Sequence, residues 1–93
     1  MNTKVTSVAA GVVTGDDVQH LFAQAKLGKH AFPAVNVVGT NSINATLEAA
    51  KKVNSPVIVQ LSQGGAAFFL GKGLKLEGVQ SSVLGAVAAA HYV

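Results

Sequence analysis

No cysteine occurs in the 93-residue chain. That excludes a disulfide framework and any thiolate metal site. Arginine is also absent, and the seven basic residues are Lys4, Lys26, Lys29, Lys51, Lys52, Lys72 and Lys75. Only Lys51 and Lys52 are adjacent. A nucleic-acid face shows clustered Lys/Arg with interleaved aromatics, so no nucleic-acid partner is expected. No apolar run reaches the ~18 residues of a transmembrane helix, so no membrane span is expected. Met1-Asn2-Thr3-Lys4 leads into no long apolar stretch, which argues against a signal peptide and for the cytoplasm. In such a chain the sequon Asn44-Ala45-Thr46 reads as a chance match. Charge is scarce: 12% of residues are charged and 49% are apolar. That composition is core-rich, unlike a disordered chain, and the length suits one small domain. The net charge of +3 is compatible with a small anionic ligand.

What the chain does contain is an α/β pattern. Residues 1–13 read as an extended lead-in. Thr14-Gly15-Asp16-Asp17 reads as a helix start, with Thr14 capping and Asp17 completing a capping box. Capping is the favoured role of these carboxylates, over catalysis. Val18, Leu21, Phe22 and Ala25 then mark one apolar face, and Gly28 marks the stop. Residues 31–38 form the first apolar strand, with Pro33 expected near its start because proline donates no ladder bond. Asn36 is polar inside that run, either locally hydrogen-bonded or aimed at a ligand. Gly39-Thr40-Asn41-Ser42 supplies a turn and caps, and a helix over roughly residues 42–54 places Ile43, Leu47, Ala50 and Val53 on one stripe.

The second strand opens at Pro56 and closes at Ser62, with apolar, largely β-branched residues suited to burial on both faces. The two strand starts are too far apart for a hairpin and match a β-loop-α-loop unit. Polar atoms collect where the second strand ends, at Ser62 and Gln63, followed by Gly64-Gly65. In parallel α/β proteins that end is where ligands bind. Residues 63–73 read as a glycine-rich loop. A last helix begins near Val79, with Val83, Leu84, Val87 and Ala90 on one face, and it runs to Val93 without a glycine cap, as if cut in mid-helix.

Gly71-Lys72-Gly73 is not a P-loop: Ala66 stands where the earlier glycine is needed, and Gly73 replaces the Mg²⁺-binding hydroxyl. Gly64-Gly65 suits a sharp turn or a close approach of the backbone to a ligand. His20, His30 and His91 lack the spacing and companions of a metal site, so surface or capping roles are favoured. Glu48 and Glu77 form no acid-base pair. Ser62 has no base beside it and is no nucleophile. On pattern alone it is equally a strand-end cap and an oxyanion or phosphate contact.

Gly11 through Val18, Phe32-Pro33-Ala34-Val35-Asn36, Pro56 through Gln60 with Ser62, and Gly64-Gly65-Ala66 together resemble the N-terminal part of class II fructose-1,6-bisphosphate aldolases. Gly71-Lys72-Gly73, Gly85-Ala86 and Ala90-His91 extend the likeness over residues 11–93, and Gln63 departs from the asparagine of many members. The resemblance implies a TIM (β/α)8 barrel, of which residues 1–93 supply an N-terminal helix and about two βα units as an incomplete domain. It implies a zinc-dependent glycolytic lyase, a cytoplasmic homodimer as the complete enzyme. Its substrate is a phosphorylated sugar: fructose 1,6-bisphosphate is reversibly cleaved to dihydroxyacetone phosphate and glyceraldehyde 3-phosphate. Ser62 is implied to contact the glyceraldehyde 3-phosphate part and Asn36 to lie near it. The zinc ligands and catalytic residues are expected beyond residue 93. A full barrel needs about 250 residues, so the chain alone is expected to be inactive and to expose apolar strand edges. The alternatives are a tagatose-bisphosphate aldolase, or a small non-catalytic α/β binding module. A reading frame continuing past Val93 separates the module from the aldolases.

Overall fold

The computed structural model describes residues 8–93. The expected lead-in over residues 1–7 lies outside the described residues, and residues 8–13 form bends without a strand. The elements are α1 (Asp16–Gly28), β1 (Ala34–Asn36), α2 (Thr40–Val53), β2 (Ile58–Gln60), α3 (Gln63–Leu70) and α4 (Ser81–Tyr92). β1 and β2 pair in parallel, with Ala34, Val35 and Asn36 opposite Ile58, Val59 and Gln60. A parallel pair joined through α2 is the unit the strand spacing implies.

The expected Thr14 cap is corrected. Gly15 occupies the N-cap position at φ 63°, and no side chain caps α1. The chain enters the helix on a positive φ that glycine adopts readily, which leaves Thr14 a residue outside the cap. Asp16 and Asp17 do fall in the first turn, where carboxylates suit the positive end of the helix dipole. Gly28 closes α1 and Lys29 takes the left-handed position after it. Of the expected apolar face, Leu21 and Ala25 are buried, whereas Phe22 is 48% exposed with its ring 6.3 Å from that of Phe32.

The N-terminus of α2 is closed as its residues suggest. Ser42 Oγ accepts from the Val38 and Gly39 amides at 3.0 and 3.1 Å and donates to the Gly39 carbonyl at 2.9 Å. Ile43, one residue on, is completely buried. Pro33 precedes β1, and its carbonyl accepts from the Ile58 amide, so its missing donor breaks no ladder bond.

Three further expectations are corrected. Both strands are shorter than their apolar runs, and β2 is not buried on both faces: Ile58 is 39% exposed and Gln60 is exposed. A two-stranded sheet leaves each strand an open edge, and the most extensive packing joins α3 to α4 rather than helix to sheet. The chain's accessible surface is 6641 Å², against about 5,000 Å² for a compact monomer of this mass. Next, residues 63–70 of the expected glycine-rich loop are a helix. Ser62 caps it, and Ala66 through Leu70 favour it enough to carry two glycines in the first turn. Finally, α4 does not bury Val83, Leu84 and Val87, which are 54%, 37% and 49% exposed. It buries Gly85 and Ala89, one turn apart, because small residues let α3 come close.

Candidate functional site

The C-terminal ends of β1 and β2 meet at one edge. Asn36 ends β1 and is exposed, and its Oδ1 accepts a hydrogen bond from Gln60 Nε2. The amide is therefore held by the neighbouring strand while its NH2 group remains able to donate outward. Gln60 was not singled out from its residue type. The parallel register, which sets it opposite Asn36, is the signal that identifies it.

Two residues beyond Gln60, Ser62 is exposed and N-caps α3, its Oγ accepting from the Gly65 amide at 3.0 Å. The cap and ligand readings of this serine are compatible. An accepting hydroxyl keeps its own proton to donate. The Ser62 carbonyl takes the Ala66 amide at 2.9 Å, so the Gln63 and Gly64 amides are the first-turn donors without an intrahelical partner. No acidic residue stands in the first turn of α3 to neutralise that positive end. Such a terminus favours an anion. An open groove of about 460 Å³ runs beside it, lined by Gln63, Gly64, Ala67, Gln80, Ser81 and Ser82. Neither Ser62 nor Asn36 lines that groove.

The buried face of α3's first turn is equally specific. Gly65 is buried, and a Cβ there would stand 3.2 Å from the Val37 carbonyl oxygen, 3.3 Å from Ser62 Oγ and 3.4 Å from Val38 Cγ1. Gly64-Gly65 thus makes no sharp turn but opens a helix, and the close approach at Gly65 is to the Val37 carbonyl, while Gly64 has room for a Cβ. Gly71, at φ 110°, closes α3, so Gly71-Lys72-Gly73 ends a helix instead of opening one as a P-loop does.

The histidines are dispersed. His20 lies within α1, His30 packs edge-on against Phe32 at 5.7 Å, and His91 stands in the last turn of α4. Among the described residues no three His, Cys, Asp or Glu side chains converge to hold a metal ion. Nor is any helix of the described residues long and apolar enough to cross a membrane.

Residues 16–93 match the family described as fructose-bisphosphate aldolase class-II. The fructose-bisphosphate aldolase of Edwardsiella ictaluri is 64% identical over 86 residues, covering 92% of this chain and 24% of the relative. The class 2 enzyme of Escherichia coli K12 is 58% identical over 87 residues, with the same coverage. A crystal structure of fructose-bisphosphate aldolase from Campylobacter jejuni superposes with a TM-score of 0.86 at 53% identity, covering 96% of this chain and 25% of that one. Two parallel strands in βα order, with polar groups gathered at their C-terminal ends, define an α/β unit. The chain belongs to the class II fructose-bisphosphate aldolase family. It spans about a quarter of the length of the curated relatives it matches.

Proposed function

We propose that this segment forms part of the substrate rim of a lyase that reversibly cleaves fructose 1,6-bisphosphate to dihydroxyacetone phosphate and glyceraldehyde 3-phosphate. In this reading β1 and β2 are neighbouring staves of a (β/α)8 barrel, with Asn36 and Ser62 at its C-terminal rim, where barrel enzymes place their chemistry. The full-length protein is then a cytoplasmic homodimer acting in glycolysis. In this reading the zinc ligands belong to other parts of that protein.

The observation that carries this reading is the state of Ser62. Its Oγ accepts from the Gly65 amide and keeps its proton to donate, at a helix N-terminus free of acidic side chains. A phosphate of the substrate takes that hydrogen bond, and a bond to a charged partner is worth roughly 1.5–3 kcal/mol. Asn36, held by Gln60, offers its NH2 group to the same end of the bound sugar. The test is Ser62→Ala in the full-length enzyme. We expect kcat/KM for fructose 1,6-bisphosphate to fall about 10–100-fold, with zinc content unchanged. Unaltered kinetics would remove Ser62 from the site.

A further inference from the structure

We infer that Gly65 is a positioning residue: its missing side chain sets where the Ser62 hydroxyl stands. Gly65 and Gly64 are adjacent in the first turn of α3, but only Gly65 is buried. A Cβ at Gly64 would meet nothing nearer than Ser62 Oγ at 4.0 Å, whereas one at Gly65 meets three atoms between 3.2 and 3.4 Å. Those contacts are tight without being prohibitive, so the outcome depends on which neighbour yields.

The Val37 carbonyl yields least. Val37 is 1% exposed, and its amide donates to the Gln60 carbonyl at 2.9 Å, which ties the end of β1 to the end of β2. Ser62 is exposed, and its hydroxyl turns about a single side-chain bond. A methyl group at position 65 therefore displaces Ser62 Oγ, the very atom that accepts from the Gly65 amide. The backbone of Gly65 orients the hydroxyl through its N–H, and the absent side chain sets the hydroxyl's distance from β1. This inference rests on the Ser62–phosphate reading above.

The test is a double-mutant cycle in the full-length enzyme, with Gly65→Ala made in the wild-type and in the Ser62→Ala background. A few tenths of an ångström of misplacement at a binding group predicts a rise in KM for fructose 1,6-bisphosphate of roughly fivefold, smaller than the effect of Ser62→Ala. The expected result is that Gly65→Ala raises KM in the wild-type background and changes it little where Ser62 is already alanine. Equal effects in both backgrounds, or no effect in the first, would overturn the inference. A silent Ser62→Ala alone would instead overturn the phosphate reading, so the two failures are distinguishable. Should Gly65→Ala not fold, Val38→Ala is added to remove one of the three contacts, and the cycle is repeated with the pair. Failure of that pair to fold would show Gly65 to be structural and would also overturn the inference.

Discussion

Gly85→Ala tests the crossing of α3 and α4 by the sign of its effect. In an exposed helix interior, replacing glycine by alanine stabilises by about 1 kcal/mol, because alanine has the better helix propensity. At Gly85 the new Cβ would stand 1.7 Å from the Ala66 carbonyl oxygen and 2.6 Å from its carbonyl carbon. Both obstacles are backbone, so no rotamer change clears them. Restoring ordinary contact requires α3 and α4 to part by more than an ångström, along a seam where Ala66, Gly85 and Ala89 are buried. Overpacking of this kind costs roughly 1–3 kcal/mol and occasionally more, and an immovable obstacle places it at the upper end. With the propensity gain subtracted, the net loss is about 2 kcal/mol. In a protein of several hundred residues, with roughly 2.1 cal/mol/K of unfolding entropy per residue, that lowers Tm by roughly 2–4 °C. The assay is thermal unfolding of the full-length protein, with Gly64→Ala as the internal comparison. Position 64 has room for a Cβ, so its substitution should leave Tm unchanged or raise it slightly. A Tm for Gly85→Ala equal to or above the parent's would refute the close crossing.

The remaining tests bear on the core and on the rim. Ile43→Ala removes a completely buried side chain behind the cap of α2 and should destabilise by about 2–5 kcal/mol, measured by chemical denaturation. A loss below 1 kcal/mol would mean that Ile43 is not a core anchor. Gln60→Ala releases Asn36 Oδ1 from its cross-strand donor. Because the pair is exposed, stability should hardly change, while kcat/KM should fall about 5–10-fold as Asn36 loses its orientation. Wild-type kinetics would show that Asn36 needs no such support.

The βαβ unit is legible because its cues are local. Proline and β-branched residues mark each strand, Ser42 and the Gly39 turn mark the start of α2, and Asn54-Ser55-Pro56 marks its end. The first helix is legible in its face and its stop but not in its cap. Whether Thr14 or Gly15 stands at the cap depends on one positive φ, which residue type alone does not decide. The strand lengths fail for another reason. An apolar run records what a strand is suited to bury, and the described residues pair only three positions of each.

α3 and α4 show why the rest is hidden. Two glycines after a serine carry every local mark of a loop. What makes them helical is the serine's own cap bond and the fit of Gly65 against Val37, a residue distant in sequence. In α4 the apolar stripe of Val83, Leu84 and Val87 is the stronger pattern, yet the buried contact falls on Gly85 and Ala89, because contact is governed here by how closely two backbones approach. Hydrophobic periodicity ranks side chains by their own affinity for a core. It assigns no weight to a glycine whose contribution is the space it leaves for another helix's carbonyl. The same limit applies at the candidate site. Ser62 is conspicuous because it has a hydroxyl, whereas Gly65, which sets where that hydroxyl stands, acts through an absent atom and becomes visible only once Val37 is placed against it.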